Sequence, residues 1–348
     1  MRLATGLCAL LLSSTAAAQS APTSAASEGP DPWFSTFSII AVDPATGELG
    51  VGVESRAFAA GAAVPWAKAG VGAVATQAAA NRLYGPKAIA LLEQGLSPAE
   101  VVKRLTDEDP GRETRQVGVI DARGRSAVYT GRHVIDRNHD ASDLVHFGGY
   151  AGHLTGTNVS VQGNTLASER VLKAMLAAYE GGTGSMAERL MDALDAGQSQ
   201  GGDTRGMQSA GLLVVKPIAP GSDSTVERIV DVRVDDAENP FVELRRLLQM
   251  TLGVPSRLAA RSAELASQHR TAEAIVEQRN ALDINPRSEE LMYGLAQRYA
   301  QAGDLAHALE WLARAIERQP HVWRPRAAED PAFAAIAARP EFKAVVAK

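Results

Sequence analysis

The residues with the clearest chemical potential stand in a glycine-rich polar stretch, GGDTRGMQSAG, at 201–211. It carries a carboxylate, a guanidinium, an amide and a hydroxyl on Asp203, Arg205, Gln208 and Ser209. A turn does not need so many functional groups, because one short polar side chain can already hydrogen-bond its backbone. The stretch is interpreted either as part of a functional site or as a loop held by its own hydrogen bonds.

A second polar stretch, VQGNT at 161–165, is predicted to turn from a strand into a helix, with the bend at Gly163. Asn164 and the backbone N–H groups at the start of that helix could bind a developing oxyanion. Asn is also a common helix cap, so a purely structural corner is the alternative interpretation.

Thr36 stands at the head of a strand-turn-strand pattern, TFSIIAVDPATGELGVGVES, at 36–55. The first run is apolar on both faces, and a Pro and two glycines separate it from a second extended run. This pattern predicts a β-hairpin that is covered on both sides. Thr36 is then either an ordinary β-branched strand residue or a nucleophile that is released when the chain before it is cut.

Strand and helix patterns alternate from Trp33 to about Pro240, and most links between strands are predicted hairpins. This arrangement favours a largely antiparallel sheet layer flanked by helices over a doubly wound parallel sheet. Two polar segments, PWAKAG at 65–70 and HVIDRNHDASDLVHFGGY at 133–150, are predicted to be exposed loops. The predicted elements are a strand at 69–79, two helices within 84–109, a hairpin at 115–131, a strand at 157–166, helices from 167 and 185, and strands at 209–217 and 227–236.

The remainder of the chain is helical and contains an internal repeat. Three residues recur 34 residues later, Ala274, Ala281 and Pro286 as Ala308, Ala315 and Pro320. The second copy also carries Leu295, Ala296, Tyr299 and Gly303 at positions that resemble a tetratricopeptide repeat, a helix-turn-helix unit of that period. Residues 330–345 are predicted to form a closing helix. Helices that merely share a length are the alternative interpretation.

The first residues predict export. Arg2 precedes an apolar stretch, and Ala16 and Ala18 provide a small-residue cleavage site, so a signal peptide cut after Ala18 is expected. The protein would then be periplasmic or secreted. Cys8, the single cysteine, lies inside that segment, so disulfides are not expected. No other stretch is apolar and long enough to span a bilayer.

The composition argues against a nucleic-acid partner. The formal net charge is −5, aromatic residues make up 5% of the chain, and no basic run occurs. Four histidines, His133, His139, His146 and His153, are separated by gaps that fit no compact zinc pattern, so neither a metal nor a cofactor is expected.

The first domain resembles a bacterial family known only as domain of unknown function 1028, which is placed by fold among the N-terminal-nucleophile hydrolases. The resemblance implies an α+β fold, a four-layer αββα sandwich, followed here by an all-α helical-repeat domain. The predicted segments are a signal peptide at 1–18, a disordered leader at 19–33, the αββα domain at 34–246 and the repeats at 254–348. The matching stretches are TFSIIAVDPATGELGVGVESR, VPWAKAGVGAVATQAAANRLYGP, DPGRETRQVGVIDARGRSAVYTG, AGHLTGTNVSVQGNTLAS, AGQSQGGDTRGMQSAGLLVV and DVRVDDAENPFVELRRLL.

The resemblance also implies roles for residues. In such hydrolases the nucleophile becomes the first residue after a cut, and its α-amine, with a pKa near 8, accepts the hydroxyl proton. Thr36 occupies that position, Glu54 would orient the amine, and Arg56 would pair with Glu54, although a surface ion pair is the alternative. The predicted catalytic residues are Thr36, Glu54, Arg56, Asn164, Asp203 and Ser209, and the predicted substrate-binding residues are His153, Arg205 and Gln208.

Two functions follow as hypotheses. The first is an exported amidohydrolase that cuts a small amide or a peptide through a threonine acyl-enzyme. The second is a non-catalytic periplasmic ligand-binding or scaffold protein. In either case the helical repeats are expected to bind a protein partner. The state of the Ser35–Thr36 bond separates the two, because a blocked Thr36 amine cannot act as a base.

Overall fold

The computed structural model describes residues 33–139, 149–221 and 226–347. The predicted signal peptide, most of the predicted leader, and His146 lie outside these ranges. The strands are β1 (Trp33–Phe34), β2 (Thr36–Asp43), β3 (Glu48–Ser55), β4 (Pro65–Lys68), β5 (Gly72–Ala79), β6 (Arg115–Asp121), β7 (Ser126–Thr130), β8 (Tyr150–Gly156), β9 (Val159–Leu166), β10 (Ser209–Val215) and β11 (Arg228–Val234). The helices are α1 (Ala60–Ala63), α2 (Tyr84–Glu93), α3 (Pro98–Asp107), α4 (Arg132–His139), α5 (Arg170–Gly181), α6 (Met186–Ser199), α7 (Pro240–Thr251), α8 (Val254–Ser267), α9 (Thr271–Ile284), α10 (Glu289–Gln301), α11 (Leu305–Arg318), α12 (Pro320–Glu329) and α13 (Pro340–Ala347).

The strands form two antiparallel sheets, which confirms the predicted antiparallel architecture. The large sheet has the strand order β11-β10-β3-β2-β9-β8. The small sheet has the order β1-β5-β6-β7, and β4 also pairs with β5. The chain therefore runs from the small sheet at β1 into the large sheet at β2, and a single residue, Ser35, makes the crossing.

Alternation along β2 gives the large sheet two covered faces. Phe37 and Ile39 share a core with residues of α5 and α6, whereas Ile40 and Val42 share a core with residues of the small sheet. Successive side chains of a strand point to opposite faces, so a strand covered on both sides needs apolar residues at every position. The run TFSIIAV meets that requirement except at Thr36 and Ser38, whose buried hydroxyls are hydrogen-bonded. The predicted hairpin is confirmed.

The small sheet is covered on its other face by two helices. Tyr84 of α2 and Leu105 of α3 pack with Val117 and Val119 of β6. Helix α3 begins as the sequence predicts: Ser97 accepts the N–H of Glu100, and the Glu100 carboxylate accepts the N–H of Ser97.

The C-terminal region is all-helical and has its own core. The repeat positions Ala274, Ala281, Ala308 and Ala315 are completely buried. They stand in α9 and α11, the second helices of two successive hairpins, where small side chains let neighbouring helices approach. This confirms the register of 34 residues. The predicted boundary at 246–254 falls within the end of α7 and its link to α8, and it remains a prediction.

Three local predictions were wrong. The segment at 65–70 contains the edge strand β4, because its backbone pairs with β5 from Gly72 to Ala75. The segment at 133–150 contains most of α4 and the start of β8 instead of one loop. The closing helix is limited to α13, because residues 331–339 form a 3₁₀ turn and further turns.

A buried ion pair fixes the end of β5 against its neighbours. Arg115 donates from Nε to Asp109 Oδ2 at 2.9 Å and from Nη1 to the carbonyl of Ala79 at 2.5 Å. Tyr84 Oη also donates to Asp109 Oδ2, at 2.9 Å. Burial alone would raise the pKa of Asp109, but the hydrogen bonds from Arg115, Tyr84 and their neighbours outweigh it and lower the pKa to about 2.

We expect Asp109→Asn to lower the free energy of unfolding at pH 7 by about 2 kcal/mol, because the ionised carboxylate is favoured in the folded state. A lowered pKa stabilises the fold above the unfolded value, near 4, and this stabilisation is lost as the pH falls toward about 2. The gap between the variant and the original protein should therefore narrow from pH 4 to pH 2 in chemical denaturation. Asp107→Asn, in an exposed pair with Lys103, is the matched control. A gap that does not change with pH would contradict the assignment.

We expect Ala308→Leu to destabilise the helical region by roughly 1–3 kcal/mol, because extra methylene groups overpack a filled contact. The measurement is thermal unfolding followed by circular dichroism. Ala306→Leu, on the exposed side of α11, is the control. Equal melting temperatures for the two variants would mean that the repeat register is wrong.

Candidate active site at the Ser35–Thr36 bond

The side chain of Thr36 is completely buried and hydrogen-bonded to its cross-strand partner. Thr36 pairs with Ser55 at the open end of the β2–β3 hairpin. Thr36 Oγ1 donates to Ser55 Oγ at 3.0 Å, and Ser55 Oγ donates to the carbonyl oxygen of Ser35 at 2.7 Å. Directly opposed residues of an antiparallel pair bring their side chains together, so the hairpin register creates this contact. A chain of two hydroxyls thus links Thr36 to the carbonyl of the peptide bond that precedes it.

A guanidinium provides a second donor to the same carbonyl. Arg205 Nη2 lies 3.0 Å from the Ser35 oxygen. Asp203 holds Arg205 at two points, with Oδ2 2.6 Å from Nη2 and Oδ1 3.0 Å from Nε. Two donors on one carbonyl polarise it and would stabilise a negative charge on its oxygen. The glycine-rich stretch singled out in the sequence therefore reaches the Ser35–Thr36 bond.

The backbone around this bond contains two unusual conformations. Thr165 has φ +57° and Ala78 has φ +65°, values that residues other than glycine rarely adopt. Thr165 Oγ1 donates to Ser35 Oγ at 2.9 Å. Ala78 is the strand partner of Phe34. Such conformations persist only where surrounding structure enforces them, and they are concentrated at functional sites.

A network of buried amides joins the two sheets beside the same bond. Gln77 of the small sheet donates to the carbonyl of Thr36 at 3.3 Å and to Gln116 Oε1 at 2.8 Å. Gln77 Oε1 accepts from Ser38 Oγ at 2.6 Å, and Ser38 Oγ accepts from Gln162 at 2.6 Å. All of these side chains are fully buried. The network fixes how β2 lies across the small sheet.

The sequence interpretation missed these glutamines. Gln77, Gln116 and Gln162 each interrupt an apolar strand, which is a detectable signal, since a buried polar side chain needs a partner. Gly118 also gives a signal in retrospect. A Cβ atom there would lie 2.6 Å from Gln162 Oε1, so the glycine makes room for the amide.

Glu54 is buried on the opposite face of the large sheet from Thr36. It is the strand partner of Phe37, which packs against the helices. Among the described residues neither carboxylate oxygen has a hydrogen-bond partner. Burial raises the pKa of Glu54 well above its usual value, and the negative charge of Asp203 raises it further. The positive charges of Arg205 and Arg56 lower the pKa by less. Burial also raises the pKa of Asp203, and the hydrogen bonds and charge of Arg205 oppose that rise.

Asn164 does not occupy the predicted helix start. Gly163 lies inside β9, paired with Phe37, and the next helix begins only at Arg170. The predicted bend at Gly163 was wrong because β9 continues past it to Leu166, which pairs with Tyr150 of β8. Asn164 instead donates from Nδ2 to Gln116 Oε1 at 3.1 Å and belongs to the amide network.

Four other predicted site residues have different partners. Ser209 Oγ donates to the carbonyl of Ala57 at 2.6 Å and accepts the N–H of Ala60 at 3.0 Å, so it holds the turn that begins α1. Gln208 donates a hydrogen bond to the Asp236 carboxylate. The exposed Arg56 donates to the carbonyl of Met207, and the exposed His153 is hydrogen-bonded to Thr130. The structure brings Thr36, Asp203 and Arg205 together. Ser209 is buried as the strand partner of Ser55, but its hydroxyl is bound to Ala57 and Ala60 instead of to Thr36.

Within 33–139, 149–221 and 226–347 no group of three His, Cys, Asp or Glu residues is arranged to hold a metal ion. In the same ranges no helix is both long and apolar enough to cross a bilayer.

Comparison with known proteins identifies both regions. Residues 36–244 match a family of unknown function (DUF1028), and residues 265–339 match the tetratricopeptide repeat, a unit typical of protein interaction. The chain is similar in structure to protein SPO2555 from Silicibacter pomeroyi, a protein of known crystal structure with the same family assignment. The two sequences are 30% identical. The similarity covers 62% of this chain and 85% of that chain, with a TM-score of 0.52. No curated protein matches this chain. The chain therefore belongs to the DUF1028 family of unknown function and carries tetratricopeptide-like repeats after the family domain.

Proposed function

We propose that this protein is an exported amidohydrolase whose nucleophile is Thr36, released by a cut at the Ser35–Thr36 bond. One observation carries the proposal. The carbonyl of that bond accepts hydrogen bonds from Ser55 and Arg205, and the Thr36 hydroxyl donates a hydrogen bond to the same Ser55 hydroxyl. A nucleophile, a proton acceptor and two donors to the carbonyl thus surround one peptide bond, which are the elements that acyl transfer requires.

The packing of the layers supports the proposed fold relationship. Helices α5 and α6 cover the large sheet, the two sheets share a core, and α2 and α3 cover the small sheet. This is the order expected of the four-layer αββα sandwich of N-terminal-nucleophile hydrolases. Thr36 begins the strand at which such enzymes carry their nucleophile.

The proposed processing reaction is an N-to-O acyl shift. Thr36 Oγ1 attacks the carbonyl carbon of Ser35 and passes its proton to Ser55, which passes its own proton to the carbonyl oxygen. The intermediate collapses when the C–N bond breaks, and that proton moves to the nitrogen, which becomes the α-amine of Thr36. Ser35 is left as an ester on Oγ1, and water hydrolyses the ester to a carboxylic acid and the free hydroxyl.

The same groups would then serve a substrate. The α-amine of Thr36 acts as the base, because its pKa lies close to neutrality. The substrate carbonyl takes the position of the Ser35 carbonyl, where Ser55 and Arg205 stabilise the oxyanion. Asp203 positions Arg205. The protonated α-amine gives its proton to the nitrogen of the substrate amide, and the C–N bond breaks. The substrate amine leaves, an acyl ester remains on Thr36 Oγ1, and water hydrolyses this ester to the acid and the free hydroxyl.

The signal-peptide pattern before Gln19 supports export, and the helical repeats support a protein partner near the site of action. After removal of residues 1–18, residues 19–35 would still precede Thr36. The proposal therefore requires two separate cuts, one by the export machinery and one at the Ser35–Thr36 bond.

We expect the purified wild-type protein to begin at Thr36, Thr36→Ala to begin at Gln19, and Thr36→Ser to begin at residue 36. The alanine lacks the attacking hydroxyl, whereas the serine keeps it. Intact-mass spectrometry of the three exported proteins measures this directly. A wild-type protein that begins at Gln19, as Thr36→Ala does, would make Thr36 a strand residue and favour the non-catalytic ligand-binding or scaffold protein.

We expect Ser55→Ala to slow processing by about 10²-fold or more, because it removes both the proton relay and one donor to the carbonyl. The measurement is the fraction processed with time during a pulse-chase. Ser262→Ala is a matched control, because Ser262 is equally buried and donates to a backbone carbonyl, that of Ala274, in the helical region. Equal rates for the two variants would exclude Ser55 from the reaction.

A further inference from the structure

The residues before the Ser35–Thr36 bond occupy the edge of the small sheet as a short strand. β1 pairs antiparallel with the end of β5, with Trp33 opposite Ala79 and Phe34 opposite Ala78. On that side of β5, β4 pairs only from Gly72 to Ala75. Release of the leader would therefore open this edge of β5 at Ala78–Ala79.

We propose that the processed protein cuts peptides, and that it binds the acyl side of the substrate as an extended strand along Ala78–Ala79, with a small hydroxyl residue immediately before the cut bond. This inference rests on the proposed function and specifies its substrate. An open sheet edge recognises a peptide through its backbone, and side-chain pockets then add specificity. In the uncut chain, residues 33–35 already occupy the positions that such a substrate would take.

The edge is held ready for a strand. Arg115 binds the Ala79 carbonyl, and Asp109 fixes Arg115. Ala78 is held in the left-handed conformation at the same point. A rigid edge loses little conformational entropy when a peptide pairs with it, so the ordering cost of binding is low.

The residue before the cut bond lies in a closed polar site. Ser35 is only 2% exposed, and its hydroxyl accepts a hydrogen bond from Thr165 Oγ1. The bond carbonyl is bound by Ser55 and Arg205. A buried site of this kind favours a small residue, and a serine there would gain a hydrogen bond with Thr165 that an alanine would lack.

A small acylated amine is the rival substrate class. It would need only the donors to the carbonyl and would gain nothing from the β5 edge. The two classes therefore differ in how the rate depends on residues upstream of the cut bond.

The first experiment compares two chromogenic probes on protein that has been processed from the full chain. The probes are acetyl-Trp-Phe-Ser 4-nitroanilide and acetyl-Ser 4-nitroanilide. Enzymatic hydrolysis of each probe gives the carboxylic acid and 4-nitroaniline. We expect kcat/KM to be about tenfold or more higher for the longer probe, because strand pairing adds hydrogen bonds. Equal values would overturn the inference in favour of small acylated amines.

N-methylation provides an internal control. Consecutive N–H groups of a strand point in opposite directions, so only one of the Trp and Phe amides of the longer probe can donate to β5. Methylating that nitrogen should remove most of the gain, and methylating the other should leave most of it. Two methylated probes that both keep the full rate would show that no strand forms.

The preference for serine before the cut bond is tested with Thr165→Val. This change keeps the β-branched shape of the side chain and removes the hydroxyl that donates to Ser35. We expect the preference for the Ser probe over the matching Ala probe to fall by about three- to tenfold, the value of one hydrogen bond. A Leu probe should be cut at least about tenfold more slowly than the Ala probe by the unmodified enzyme. An unchanged preference in Thr165→Val, or a Leu probe as good as the Ser probe, would overturn the assignment of this subsite.

Failure of the inference and failure of the proposed function are distinguishable. A chain that never cuts its own Ser35–Thr36 bond contradicts the proposed function, whatever the probes show. A chain that begins at Thr36 but does not prefer the longer probe keeps the nucleophile and loses the peptide substrate.

Discussion

The structure depends on the need to satisfy one buried carbonyl, that of Ser35, where the chain crosses from one sheet to the other. A buried carbonyl without a donor costs free energy comparable to a lost hydrogen bond. A regular strand would supply this donor from a neighbouring backbone. Here a hydroxyl from Ser55 and a guanidinium from Arg205 supply it. The same two donors that stabilise the fold also polarise the bond, so structure and chemistry meet at one atom.

The amide network around this carbonyl is the second constraint. Gln77, Gln116 and Gln162 are completely buried between the sheets. From the small sheet, Gln77 donates to β2 and Gln116 donates to β9, and Gln162 of β9 donates to Ser38 of β2. Directional hydrogen bonds fix the lateral position of the two sheets more closely than apolar contacts do, because apolar packing tolerates small shifts. The position of Thr36 relative to Ser55 and Arg205 therefore depends on glutamines that do not contact the Thr36 hydroxyl.

The two buried carboxyl groups, Glu54 and Asp203, have different surroundings. Asp203 is compensated by two-point contact with Arg205, whereas Glu54 shares the low-dielectric interior without a hydrogen bond among the described residues. Burial raises the pKa of both carboxyl groups, and hydrogen bonds from Arg205 oppose the rise only at Asp203. Asp203 therefore holds Arg205 where its guanidinium donates to the Ser35 carbonyl.

The sequence by itself determined the local elements: the β2–β3 hairpin, the antiparallel class, the capped start of α3 and the register of 34 residues in the repeats. Each follows from contacts within a few tens of residues, which periodicity and turn residues record. The sequence also singled out Thr36, Asp203 and Arg205, but it could not tell which side chains of the polar stretch 201–211 reach the Ser35–Thr36 bond. Only the tertiary structure decided which side chains meet. Arg205 reaches a carbonyl 170 residues earlier in the chain, and Gln77 meets Gln162 across two sheets. A period of two residues tells which face a side chain occupies, but not which strand lies opposite.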